Sequence, residues 1–258
     1  FMAGILPGLL LTGLFTATIW LIATLDPAAG PRGEKVPFAE RFRVLMRAVP
    51  LLGIIAVSIG GIYLGVFTPV EASGVGASLV LLMAILQRRL TFAQFRGAIL
   101  DTLKTSAMLY TVVIGANVLN PFFAVTQIPA TLGAGLEGFG LGAYGTLVVI
   151  LLAYVVLGMF MDGLSMLVIS IPIVFPVILS HGFDPIWFGV IAVIVIEMGM
   201  ITPPVGLNVF VVHGVAGDVP LATVFRGVMP FLVAMVVGLL LIILFPQIAL
   251  LIPNTMFG

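Results

Sequence analysis

Cysteine is absent from the 258 residues, so neither a disulfide framework nor a thiolate-held metal can exist in this chain. Charge is scarce as well: 8% of the residues are Asp, Glu, Lys or Arg, against about 25% in a soluble domain. The ten basic and ten acidic side chains cancel, which leaves no basic face to track phosphates and no argument for a nucleic-acid partner. Only two histidines occur, His181 and His213, without a second ligand at helical spacing. They read as hydrogen-bonded or interfacial groups, not metal ligands. No His-Glu-x-x-His run is present, which removes the helical zinc-protease motif. What fills the chain is apolar: 62% hydrophobic residues and a mean hydropathy of +1.34. A bilayer crossing takes about 20 apolar residues, so the sequence has room for roughly eight spans, counting half-length ones. The fold class is an all-α polytopic membrane protein.

The start, "FMAGILPGLLLTGLF", has no basic leader and no small-residue cleavage site, unlike a signal peptide. It reads as the interior of a longer chain whose upstream part is missing. Residues 4–25 form a first predicted span, and 26–47 are the one long polar stretch, with Arg32, Lys35, Arg41, Arg43 and Arg47. Within it, the segment near 37–48 has the pattern of an amphipathic helix lying at the membrane interface. Spans at 48–66 and 69–87 flank "FTPVEAS", and Arg88, Arg89, Arg96 and Lys104 follow. The two basic loops are therefore expected in the cytoplasm and "TPVE" on the opposite side. Beyond residue 104 the regularity fails. Residues 105–119 stop early at "NPFFAVTQIP", 143–161 stop at "GMFMDGLSM", Pro172 and Pro176 interrupt the next run, and 186–200 end at "TPPVG". Only 227–252 reads as a plain long helix. The expected organisation is a scaffold-type region over 1–104, a transport-type region of interrupted helices with a re-entrant hairpin over 105–225, and a C-terminal transmembrane helix over 226–258.

Unwound backbone survives at membrane depth only when it is buried in protein or faces a water-filled cavity. Each break exposes carbonyls at the end of one half-helix and N–H groups at the start of the next, with opposite partial charges. Carbonyls suit a hard cation such as sodium, and half-helix N-termini suit a carboxylate or phosphate. Interrupted apolar segments of this kind are the sequence pointer to a secondary transporter's site. In "GMITPPVGLN", Gly199 and Thr202 can offer carbonyls, Pro203 and Pro204 remove two N–H donors, Gly206 permits close approach, and Asn208 can cap the next half-helix or meet a ligand. A proline-kinked helix repaired by its neighbours is the plainer alternative. Asp162 is costly if deep in the membrane, so it is either a site residue or the cap of the helix that follows, with Ser165 and Ser170 beyond it. Glu197 poses the same choice. Glu71 suits a helix start at the interface.

Four stretches occur in one order: "ILPGLLL" at 5–11, "FTPVEASGVGA" at 67–77, "GMFMDGLSMLVISIPIVFPV" at 158–177 and "FGVIAVIVIEMGMITPPVGLNVFVV" at 188–212. Together they resemble the large membrane (M) subunit of the tripartite ATP-independent periplasmic (TRAP) transporters over essentially the whole chain. The resemblance implies an elevator-type secondary transporter of the bacterial inner membrane. A sodium gradient would drive symport of an organic acid such as a C4-dicarboxylate, sialic or other sugar acid, or keto acid. A periplasmic substrate-binding protein would deliver the substrate, a small four-helix Q subunit would buttress the M subunit in the bilayer, and sodium would be the coupling ion with no other cofactor. Carried onto this chain, one sodium site involves Gly199, Thr202 and Val205 as carbonyl donors with Gly158 facing them, and Asp162, Ser165 and Asn208 line the substrate cavity. Val205 stands where relatives often have methionine, a change a backbone ligand tolerates. The family's M subunit has two inverted repeats, and this chain resembles only the second. The first repeat and the other sodium site are expected to be missing.

Three other readings compete. "GLSM" at 163–166 fits the loose Gly-x-Ser-x pattern of membrane-embedded serine proteases, with His213 as an imagined base. A sodium- or proton-coupled anion permease of a related elevator family would need no binding protein. A channel would want a repeated filter or a ring of like charges, and neither occurs.

Overall fold

The computed structural model describes residues 1–27, 37–88, 90–127, 131, 134–135, 138, 140–217 and 219–257, without the side chains at 39, 120, 123, 124, 256 and 257. Arg32, Lys35, Arg89 and the Ile128–Pro129 end of "NPFFAVTQIP" lie outside the described residues. Among those described, every regular element is a helix. After a short 3-10 turn come α1 (Ile5–Leu25), α2 (Phe38–Tyr63), α3 (Pro69–Leu86), α4 (Phe92–Thr126), α5 (Gly142–Gly158), α6 (Gly163–Ser180), α7 (Pro185–Ile201), α8 (Leu207–Ala216), α9 (Leu221–Leu244) and α10 (Gln247–Phe257). Six of them, α1, α2, α3, α4, α6 and α9, are long and apolar enough to cross a membrane, while α5, α7 and α8 are apolar but shorter.

Helix starts follow local chemistry. Thr68 and Glu71 form a reciprocal capping box before α3, with Pro69 at the first helical position. Thr91 and Gln94 exchange the same pair of bonds before α4. Asp184 accepts the N–H groups of Ile186 and Trp187 at the start of α7.

Several boundaries differ from the sequence expectation. The stretch near 37–48 is not a separate interfacial helix but the first turns of α2, which continues through Pro50 to Tyr63. Residues 105–119 are not a short span either. The turns from Phe92 wind into the same helix, and Pro121 forfeits one backbone bond without ending it. Pro172 and Pro176 likewise sit inside a continuous α6. The C-terminal run divides into α9 and α10 at Phe245–Pro246, where the proline has no N–H to continue the ladder.

By contacts the chain forms two compact units. One comprises Phe1–Met2, Ile22–Lys104 and Asn254–Gly258, and its centre is the α2–α3 pair. The Phe67 ring lies on Gly61, and a β-carbon on Gly76 would stand 3.1 Å from Ser58 Oγ, so the two helices approach closely at small residues. The other unit comprises Ala3–Leu21 and Thr105–Pro253 and holds a dense core. Its axis is α7, against which α5, α6, α8 and α9 all pack. Ile191 and Val195 of α7 are fully buried among Leu147, Tyr154, Met166, Ile178 and Ile242. The Trp187 indole N–H donates to the Ile242 carbonyl at 3.0 Å, tying α7 to α9. Leu11 and Leu14 of α1 fill the space left by the missing side chain of Gly238 on α9.

Candidate functional site

A helix of 17 residues is about 25 Å long, short of the roughly 30 Å hydrocarbon core. Both α5 and α7 have that length. The four residues Met159–Asp162 turn the chain from α5 into α6, which folds back along it, with Tyr154 Oη and Ser170 Oγ 2.9 Å apart across the pair. Helix α7 ends at Ile201, and α8 begins after Gly206. The tip of the α5–α6 hairpin lies against this break.

The approach is backbone on backbone. A β-carbon on Gly199 would stand 2.7 Å from the Val155 carbonyl oxygen and 2.8 Å from the Gly158 α-carbon. One on Gly158 would stand 3.0 Å from the Ile196 carbonyl and 3.1 Å from the Gly199 α-carbon. Real β-carbons do not tolerate such distances to main chain, so only glycine fits at Gly199, and Gly158 is nearly as constrained. Gly163, the first residue of α6, completes the contact against Ile196 and Met200. The result joins the C-terminal ends of two helices, each carrying about half a negative charge on its last carbonyls.

The break rearranges the carbonyls of α7. The helical partners of the Gly199 and Met200 carbonyls would be the N–H groups of residues 203 and 204, both prolines. Thr202 turns extended, as a residue before proline does, with φ −88° and ψ 135°. Its N–H reaches the Gly199 carbonyl at 3.0 Å, and its hydroxyl donates to the Met198 carbonyl at 2.6 Å. Pro203–Pro204 is a cis bond, and Gly206 adopts the left-handed φ of 61° that favours glycine. The Gly206 carbonyl accepts from Val209 and Phe210, and no side chain caps α8.

Of the residues singled out in the sequence, the fold brings Gly158 and Gly199 into direct contact and sets Thr202 one turn beyond. Val205 is half-buried in the connection, and Asn208 is half-buried at the second position of α8. Neither is among the nearest atoms around the glycine contact. Gly206, not Asn208, is the capping position of α8. Asp162 caps α6: its carboxylate accepts the Ser165 N–H at 3.0 Å. Ser165 thus meets Asp162 through both its hydroxyl and its main-chain N–H. The carbonyls of Val155 and Ile196, which line the contact, were not legible, because nothing in a Val or Ile marks its carbonyl as exposed to a neighbouring glycine. His213 Nδ1 lies 2.8 Å from the Val219 carbonyl and His181 Nδ1 2.8 Å from that of Val177, so both are engaged by main chain.

Fold and site together define a polytopic helical membrane protein in which a helical hairpin meets a broken helix. The family model described as "Tripartite ATP-independent periplasmic transporter, DctM component" matches residues 1–248. The chain belongs to that family. It is 34% identical over 255 residues to the C4-dicarboxylate TRAP transporter large permease protein DctM of Rhodobacter capsulatus, covering 98% of this chain and 57% of the relative. It is 32% identical over 260 residues to the sialic acid TRAP transporter large permease protein SiaM of Vibrio cholerae, covering all of this chain and 60% of the relative. To the ectoine/5-hydroxyectoine TRAP transporter large permease protein UehC of Ruegeria pomeroyi it is 31% identical, again over all of this chain and 60% of the relative. The chain thus spans about three-fifths of the length of these relatives. All are named as permeases, so the family is one of transporters rather than enzymes, and the serine-protease reading of "GLSM" is set aside.

Proposed function

We propose that this chain forms part of the large membrane subunit of a TRAP transporter that imports an organic acid anion by sodium-coupled symport across the bacterial inner membrane. The single observation that carries the reading is the backbone contact of Gly158 with Gly199, which joins two helix C-termini at an unwound segment. Oxygen ligands suit sodium, and the carbonyls of Gly158, Gly199, Thr202 and Val205 are the proposed set. The two half-helix N-termini near the break are not equivalent as anion seats. That of α6 already holds the Asp162 carboxylate, whereas α8 starts without a side-chain cap and offers its first N–H groups. We place the substrate's acidic group at the start of α8 beside Asn208, with Asp162 and Ser165 on the opposite wall.

The relatives' names support a substrate delivered within a tripartite system, so a periplasmic binding protein and a small Q-type membrane subunit are the proposed partners. One relative, the isethionate TRAP transporter permease protein DctMQ of Oleidesulfovibrio alaskensis, has a name joining both membrane components. An elevator motion and a second, inverted repeat complete the proposal. The test uses the complete transporter reconstituted in liposomes, following labelled C4-dicarboxylate, sialic acid and ectoine with and without an inward sodium gradient and with and without the cognate binding protein. Uptake that requires both supports the reading. Uptake that ignores the binding protein assigns the chain to a permease mechanism, and uptake indifferent to sodium removes the cation site.

A further inference from the structure

Helix α3 is long and apolar enough to cross a membrane, and both of its ends are polar: the Thr68–Glu71 box before it, Gln87 and Arg88 after it. The turn from α3 into α4 therefore lies at a membrane–water boundary, the one where Arg88, Arg96 and Lys104 gather. Arg88 holds a left-handed φ of 52° in that turn, where glycine is the less strained residue. Between the end of α3 and the start of α4 lies a cavity of about 310 Å³, open on one side and lined by Leu81, Ile85, Leu90, Thr91, Phe92 and Phe95. The one polar side chain among these is already engaged, with the Thr91 hydroxyl 2.9 Å from Gln94 Oε1. The walls call only for apolar contact. Benzene fits a dry cavity of about 150 Å³, so this one has room for a length of alkyl chain.

Positive charge stands beside the cavity. At 3.6 residues per turn, Phe92, Phe95, Ile99 and Leu103 share one face of α4, and Arg96 falls on that same face. The other charges of these turns, Asp101 and Lys104, lie on a different face and pair with each other at 3.7 Å. Among the described residues neither Arg88 nor Arg96 makes a side-chain hydrogen bond or ion pair. An arginine on an apolar face at a boundary lays its stem along hydrocarbon and keeps its head at the polar level. There its planar fork matches a phosphate. We propose that the α3–α4 turn binds one anionic phospholipid, with an acyl chain in the cavity and the phosphate on Arg96 and Arg88. Charge complementarity selects this occupant over three others. A zwitterionic lipid brings its own cation to the two arginines, a soluble phosphate leaves the cavity unfilled, and an apolar helix leaves both guanidinium groups unmet. The site lies wholly within the first unit and does not depend on sodium coupling.

The test is native mass spectrometry of the complete transporter, titrated with phosphatidylglycerol, with phosphatidylcholine of the same chains, and with glycerophosphoglycerol, the head group alone. The first phosphatidylglycerol should bind several-fold more tightly than phosphatidylcholine, and the head group should not bind at the same concentration. Arg96→Gln should remove most of that preference, and Arg96→Lys should keep part of it. Ile85→Trp fills the cavity at unchanged charge and, at a side chain already 54% exposed, should lower phosphatidylglycerol binding several-fold. Arg226→Gln, in the other unit, should leave binding unchanged. Equal binding of the two lipids, or an Arg96→Gln variant that keeps the preference, overturns the proposal. So does Ile85→Trp without effect, or binding of the bare head group, since either reduces the site to surface charge.

Discussion

Two threonine–proline pairs stand at helix ends in this chain and are used in opposite ways. At Thr68–Pro69 the threonine begins a helix: its hydroxyl accepts the Glu71 N–H, and the Glu71 carboxylate returns to the Thr68 N–H at 2.8 Å. At Thr202–Pro203 the threonine ends one, its hydroxyl turned back onto Met198. Three residues after the first threonine stands a glutamate that closes the box, and three after the second stands Val205, which has no polar side chain. Both threonines are extended, as a following proline demands. The difference therefore lies in what comes next. A closed turn consumes its own donors and acceptors, whereas the second proline and Gly206 leave the α7–α8 break with main-chain groups that a ligand can use. In the same way Asp162 and Asp184 close the starts of α6 and α7, and α8 alone of these three begins without a cap.

This contrast can be broken or sharpened by substitution. The largest effect is expected at the glycine contact. Gly199→Ala forces a β-carbon onto main chain, so it should lower stability by about 1–3 kcal/mol and nearly abolish uptake. Gly53→Ala and Gly74→Ala, inside helices where a β-carbon meets nothing within 4 Å, should leave uptake unchanged and not lower stability. Thermal melts and liposome uptake on the three variants decide it. Next comes Asp162. Asp162→Ala loses a cap worth about 1 kcal/mol, while Asp162→Asn retains the capping acceptor and should keep most of the stability. Measured melting temperatures in the order wild type, Asn, Ala check the capping role. A flat series would remove it.

Smaller again is the threonine pair itself. Thr202→Val keeps the shape but loses one hydrogen bond of about 0.5–1.5 kcal/mol, and should raise the sodium concentration for half-maximal uptake. Thr68→Val should cost comparable stability and leave that concentration alone. Sodium titrations of both variants separate the two turns. Tyr154→Phe should show the least: it unpairs Ser170 in the hairpin, at a cost of about 1 kcal/mol in denaturation, with sodium dependence intact.

The sequence carried some of these features plainly. The first and third helices were legible to within a residue or two, because apolar runs ending at "LDP" and beginning at "TPVE" leave little choice. Prolines were overread: Pro121, Pro172 and Pro176 each remove one backbone bond, and a membrane helix continues past such a loss more readily than the pattern suggests. Charge was overread at Arg41–Arg47, which lie on the opening turns of α2 and not on a separate interfacial helix. At Thr202–Gly206 the sequence left a kinked helix and a true break both open, and the structure shows the break, the helix ending at Ile201 and restarting at Leu207. That Gly158 faces Gly199 could not be read from spacing. It depends on how α5 packs across α7, and the expectation came from the family resemblance alone. The capping of α6 by Asp162 was one of two open readings, and the geometry supplies the hydrogen bond that favours it.

The most direct measurement is hydrogen–deuterium exchange of the complete transporter in nanodiscs, in sodium and in choline at equal ionic strength. Sodium held between the hairpin tip and the broken helix should slow exchange in residues 158–165 and 199–209 and leave the turn at 64–75 unchanged. Equal exchange in the two salts across 158–165 and 199–209, or a sodium effect of the same size at 64–75, would contradict the claim that the open break is the cation site.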